Sequence, residues 1–221
     1  MRLTIVAATG GIGRHLLEQA LAAGHEVTAV VRNPDRLATP VSAVAVDLAD
    51  PDSAELRSAF EGVDAVLSGL GPRDKSEWGI ASRGTRAIVE AMQATDARRL
   101  VVVSGAGVST IPTPSRPHPP RREPGAGFLN RYINTPLARL VLGAHFVDIA
   151  MLEHELRTSA LDWTAVRAPL LIDRPLTGRY RTAFERNVRR GFRIGRADVA
   201  HFMLSTLQRK DTIGHAVSAA Y

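Results

Sequence analysis

Cysteine is absent from the 221 residues, which excludes disulfides, thiolate nucleophiles and thiolate metal sites and agrees with a reducing compartment such as the cytoplasm. Lysine is nearly absent as well. Lys75 and Lys210 stand alone among 28 basic residues, so arginine carries almost all of the positive charge behind the net +6. A basic balance suits nucleic acid or a phosphate-bearing cofactor equally; no nucleic-acid-binding motif accompanies it, and nucleic acid is left out of the expected partners. No apolar run approaches the roughly 18 residues of a membrane helix. The short apolar segment 3–8 passes straight into a glycine loop rather than a longer signal core. The expectation is a cytoplasmic protein without membrane association, a monomer or small homo-oligomer.

What the chain does contain is alternation. Segments 3–8, 26–32, 43–47, 65–70 and 100–104 are short, apolar and valine-rich, the habit of parallel strands buried on both faces, and 163–171 and 216–220 read as two later strands. Ile12, Leu16, Ala20 and Ala23 recur at helical spacing before Gly24. Ile80, Gly84, Ile88, Ala91 and Met92 do so again. Further helices are expected over 137–151, with a break near Gly143, and around Val199, Phe202, Met203, Thr206 and Leu207, the last strongly amphipathic. Alternating strands and helices predict an α/β fold: one Rossmann-type, doubly wound, mainly parallel sheet flanked by helices, in a single domain over 1–221. The regularity stops at a proline- and arginine-rich loop, 107–128, which follows the fifth strand and is expected to act as a lid, with substrate-side elements falling within 106–196.

The run Ala7-Ala8-Thr9-Gly10-Gly11-Ile12-Gly13 lies between a buried strand and an amphipathic helix. There the glycines permit a tight turn, close approach of a pyrophosphate and close packing of helix on strand, while the helix start offers free N–H groups to phosphate oxygens. A ligand-free glycine connection is the alternative. A dinucleotide site selective for NAD carries an acid at the end of the second strand, about 20 residues past the loop. This chain has Arg32 there, whose guanidinium suits a 2′-phosphate, so NADP(H) is the expected cofactor, with Arg14 assisting. The alternative for Arg32 is a solvated charge. Asp47 ends the third strand and Ser68-Gly69-Leu70-Gly71 the fourth, the ends at which open α/β sheets bind ligands; Asp47 suits the adenine amine.

Four runs, A-T-G-G-I-G-R, V-V-R-N-P, V-D-L-A-D and V-V-V-S-G-A-G-V, resemble the atypical short-chain dehydrogenase/reductases of NAD(P)H-binding, NmrA-like character. L-D-W-T-A-V-R-A-P-L-L-I, P-L-T-G-R-Y-R and A-D-V-A-H-F-M-L are similar to the biliverdin reductase B/flavin reductase branch of that group. The resemblance implies a cofactor groove lined by Thr9, Gly10, Ile12, Gly13, Arg32, Asp47, Leu48, Ser68, Gly69 and Ser104, with Pro169 and Leu170 at the nicotinamide end. It implies that Arg73 and Arg193 face the substrate. The chain departs from the family pattern at Ala7, where glycine is usual, and at Gly105, where a second small hydroxyl often follows Ser104.

The tyrosines are Tyr132, Tyr180 and Tyr221, and none has a lysine four positions on, so the Tyr-x-x-x-Lys proton donor of alcohol dehydrogenases is missing. That leaves Ser104 as a weak catalytic candidate. It also favours an acceptor whose own conjugation drives reduction, such as a flavin, a quinone or a tetrapyrrole. An NADP(H)-sensing regulator is the alternative, and a sugar-nucleotide epimerase fits less well. His145, Asp148, Glu153 and His154 show no metal-ligand spacing, so no metal is expected and they read as a solvated helix face. His201 reads as a packed histidine, and Ser104 lacks the glycine of a nucleophile elbow.

Overall fold

The computed structural model describes residues 1–125 and 135–221. Among them, eight strands form one sheet in the order β3-β2-β1-β4-β5-β6-β10-β8. These are β1 (Arg2–Val6), β2 (Glu26–Val31), β3 (Ser42–Ala45), β4 (Ala65–Ser68), β5 (Arg99–Gly105), β6 (Asp162–Ala168), β8 (Arg181–Phe184) and β10 (His215–Ala220). Every pairing is parallel except β10 with β8. A separate parallel pair joins β7 (Leu170–Ile172) to β9 (Arg193–Gly195).

Strands covered on both faces need no polar alternation, and the two cores show this directly. Leu100 and Val102 of β5 enter one apolar layer, whereas Val101 and Val103 enter the other. Each such side chain removed from water stabilises the fold by about 1.5–3 kcal/mol. The first layer lies under α3 (Ile80–Gln93) and α4 (Thr135–Thr158); the second lies under α1 (Gly13–Ala22) and α5 (Arg196–Ser205). A short helix, α2 (Ser53–Ser58), starts on an Asp52 side chain that accepts from Ala54 and Glu55 N–H.

Several expectations change here. The strand over 163–171 is two strands, because Pro169 has no N–H to continue the ladder, and β7 leaves the main sheet after it. β3 is an edge strand with Ser42, Ala43 and Ala45 exposed, not buried on both faces. α5 is not one-sided: Ala197, Asp198, Val199, Ala200, Phe202 and Met203 are all buried, and the α-helix ends at Ser205. α4 does break near Gly143, at Leu142, whose φ of −121° is non-helical; the side chains of Leu137, Leu140 and Val141 lie outside the described residues. So do residues 126–128 of the expected lid and Tyr132. The rest of that loop is tied to its neighbours: Ser115 N–H donates to His154 Nδ1 (3.2 Å) and Asn187 N–H donates to Pro124 O (2.9 Å). None of residues 106–125 lines the cleft described next.

Candidate functional site

The chain runs outward from β1 through β2 to β3, then returns to β4 on the other side of β1. At that reversal the connections leave in opposite directions and open a crevice beyond the strand ends, the usual ligand position in open α/β sheets. A cleft of about 650 Å³ occupies it. Its floor is the turn between β1 and α1.

That turn is shaped for close approach. Gly10 N–H donates to Ala7 O (2.8 Å), and a Cβ on Gly13 would sit 2.0 Å from the same carbonyl, so only glycine lets α1 pack there. Ala7 adopts φ 59°, the left-handed region where the related pattern has glycine. α1 begins after Ile12 without a side-chain cap and with no acid in its first turn. The Arg14 N–H donates to Gly10 O (3.0 Å), and no side chain caps the remaining leading N–H groups, which face an anion at the cleft floor. Beside them lies Arg196: a Cβ on Gly11 would meet its Cδ and Nε at 2.9 Å. The Arg196 guanidinium meanwhile pairs with Asp173 (2.9 Å), a residue largely in solvent.

At one end of the cleft, beyond β2, Arg32 donates to Glu77 Oε1 (2.8 Å). Glu77 Oε2 accepts the Arg73 N–H (2.8 Å). Glu77 ends a single 3₁₀ turn, Lys75–Glu77, whose start is capped by the Asp74 side chain. The Arg73 backbone bond, together with Arg32, outweighs partial burial and holds the Glu77 carboxyl below its ordinary range.

Beyond β5, the other end holds Ser104, Gly105, Ala168, Pro169, His145 and Ile149. Ser104 is buried and its hydroxyl donates to Glu153 Oε1 (2.9 Å). Arg167, on β6, forks onto both Glu153 oxygens at 2.6 Å and also donates to Ser109 Oγ (3.0 Å). Burial alone would raise the Glu153 carboxyl; the Arg167 hydrogen bonds and charge overcome it and keep the group ionised. With its proton committed to Glu153, Ser104 offers lone pairs to any further partner. His145 is pushed below its ordinary value by burial, against the pull of Asp148. Among the described residues, its buried Nδ1 has no hydrogen-bond partner.

Of the residues expected at the site, Thr9, Gly10, Gly11, Ile12, Arg32, Asp47, Leu48, Gly69, Leu70, Arg73, Ser104 and Pro169 line the cleft. Gly13 and Ser68 lie buried behind it, Ser68 Oγ accepting the Leu70 N–H at 3.4 Å. Arg14 and Arg193 are exposed and outside the lining, and Leu170 is 68% exposed, its neighbour Leu171 facing the cleft in its place. Asp47 Oδ1 is occupied by the Ala49 N–H (3.0 Å). The helix face read as solvated is not: Asp148 and Glu153 are buried, and Asp148 accepts from Gly79, Ala81 and Ser82 N–H at the start of α3. Sequence reasoning missed Glu77, Arg83, His145 and Arg196 as cleft residues. Only Arg196 carried a signal, as a cation just before A-D-V-A-H-F-M-L. Tyr180 is hydrogen-bonded to His201 (2.7 Å) and burial pushes its phenol up to about 12; Tyr221 donates to Asp198, and neither lines the cleft.

A family model described as NAD(P)H-binding matches residues 7–210. The chain belongs to this NAD(P)H-binding family. That agrees with the resemblance to the atypical short-chain dehydrogenase/reductases. Among curated relatives, YwnB of Bacillus subtilis is uncharacterised and 34% identical over 108 residues, which is 48% of each chain. Rv2047c of Mycobacterium tuberculosis is also uncharacterised and 32% identical over 105 residues, 47% of this chain and 12% of its own length. The chain thus spans half or less of the curated relatives it matches. Solved structures match it over its whole length. SP1627 of Streptococcus pneumoniae, provisionally assigned as an NADH-flavin reductase, has a TM-score of 0.77 at 27% identity, over 100% of this chain and 99% of its own. The oxidoreductase ylbE of Lactococcus lactis (0.79, 20%, 100% and 90%) and the anaerobilin reductase ChuY of Escherichia coli O157:H7 (0.76, 21%, 100% and 97%) share the fold. No described helix is long and apolar enough to cross a membrane.

Proposed function

We propose that this chain is an NADPH-dependent oxidoreductase that reduces a flavin-like, quinone or other conjugated small-molecule acceptor. The observation that carries the reading is the cleft at the sheet reversal, with a glycine turn on its floor, Arg32 at one end and Ser104 with Pro169 at the other. Arg32, Arg73, Arg83 and Arg196 give its lining an excess of cations over Asp47 and Glu77, which favours a polyanionic cofactor. The glycine turn and the uncapped start of α1 bind the diphosphate, and Arg32 takes the 2′-phosphate. Asp47 and Leu48 border the adenosine. Ser104, oriented by Glu153, accepts a hydrogen bond from the carboxamide N–H and acts as a positioning residue rather than an acid.

When bound, the nicotinamide supplies a hydride, and a proton from water completes reduction of the acceptor. The residues at this end orient the reacting groups and leave the acceptor's conjugation to drive the reaction. The likeness to SP1627 supports a flavin as the first acceptor to try. Calorimetry with NADPH, followed by steady-state reduction of FMN, dichlorophenolindophenol and biliverdin, tests the proposal. Saturable NADPH binding with turnover of one acceptor is expected. Absence of binding overturns the reading, and binding with no turnover of any of the three moves it to a redox sensor.

A further inference from the structure

We propose that Glu77 sets the preference between the two nicotinamide dinucleotides, as a resident carboxylate on the guanidinium that a 2′-phosphate needs. The inference rests on the assignment of Arg32 to that phosphate. One Arg32 nitrogen already lies 2.8 Å from Glu77 Oε1, while Glu77 Oε2 is anchored by the Arg73 N–H at the same distance. The carboxylate is therefore not a side chain swinging in solvent. The Asp74-capped turn and the Arg73 backbone present it to the end of β2.

The two ligands meet this pair differently. A 2′-phosphate arriving at Arg32 must share the guanidinium with an ionised neighbour or displace it, and either costs binding energy that NADH does not spend. A ribose 2′-hydroxyl, by contrast, finds a carboxylate acceptor of the kind that NAD-selective sites place after the second strand. Glu77 supplies from the far side of the cleft the acid that position 32 lacks. Arg32 and Glu77 together read both adenosine ends, and specificity is the difference between the two affinities.

Glu77→Gln removes the charge while keeping an oxygen for the Arg73 N–H. Calorimetry on the folded protein with NADPH, NADH, 2′,5′-ADP and 5′-AMP reads the outcome without any turnover. The ratio of NADH to NADPH dissociation constants is expected to rise about tenfold, and the ratio of 5′-AMP to 2′,5′-ADP dissociation constants to rise in parallel. Arg32→Ala serves as the second arm and is expected to weaken NADPH and 2′,5′-ADP selectively. If Arg32→Ala does so while Glu77→Gln leaves both ratios unchanged or lowers them, the role of Glu77 is overturned and that of Arg32 stands. If Arg32→Ala changes neither phosphorylated ligand, the assignment of Arg32 falls and this inference falls with it. A fluorescence-monitored melt of each variant separates these results from loss of fold, and Glu77→Ser repeats the charge removal if the glutamine variant does not fold.

Discussion

Two buried charges behind the cleft do their work as a pair. Arg167 and Glu153 have side chains 1% and 4% exposed; the guanidinium keeps the buried carboxylate ionised, and the carboxylate gives the buried guanidinium its counter-charge. Replacing such a pair by apolar groups is often neutral, but removing one partner strands the other. Glu153→Gln is therefore expected to destabilise the protein by about 3–5 kcal/mol in urea unfolding and to release the Ser104 hydroxyl from its fixed direction. The pH dependence follows from the lowered folded-state carboxyl. Its contribution is fully present above the unfolded value near pH ~4.3 and disappears as pH falls through the folded value. In Glu153→Gln, the acid limb of the stability curve should flatten over that window. A limb identical to wild type would show that other carboxylates govern acid unfolding.

At the scale of elements, the turn between β1 and α1 decides whether there is a site at all. Ala7 holds a left-handed backbone that costs an L-residue about 1 kcal/mol or more, partly offset because alanine leaves the unfolded chain less freedom than glycine would. Ala7→Gly is expected to raise stability by about 0.5–1 kcal/mol in denaturant titration, with NADPH affinity kept. A loss of stability would mean that the Ala7 methyl packs better than its backbone strains. The position was already visible in the sequence as the one place where the glycine pattern fails, although its φ was not. More broadly, strands β1, β2, β4 and β5 were legible because burial on both faces leaves an unbroken apolar run. β8 and β9 were not: each is three or four residues long and holds an arginine and a single large apolar residue, Phe184 or Ile194, so only pairing in space defines it. The face of α4 was misread for a related reason. Asp148 and Glu153 look like solvent residues in isolation, and their partners, the start of α3 and Arg167, are remote in sequence.

Across the whole molecule, the cleft is assembled from both ends of the chain. Gln19 of α1 donates to Ala197 O (2.9 Å), fixing α5 beside the glycine turn, so that Arg196 reaches over Gly11 from 185 residues away. A cation at the start of a helix is poorly placed for the helix dipole, and its partner Asp173 is 73% exposed. On the proposed reading, the cofactor's diphosphate on the cleft floor would resolve that conflict. Arg196→Ala is expected to weaken NADPH about tenfold or more in calorimetry, and to flatten the salt dependence of binding, with an unchanged Tm. Unchanged affinity would confine Arg196 to its surface pair.

The fastening of the cleft walls is uneven. Asp148 ties α4 to the start of α3 through three backbone donors inside the protein, whereas the opposite margin is held by the Arg32–Glu77 contact at the surface. Ionic strength acts on one of these and scarcely on the other, because mobile ions screen charges in water and do not enter a packed interior. Added salt should therefore loosen the Arg32 margin and leave the Asp148 tie in place, so that, on the proposed reading, dilute buffer and cell-like buffer report different selectivities for the same protein.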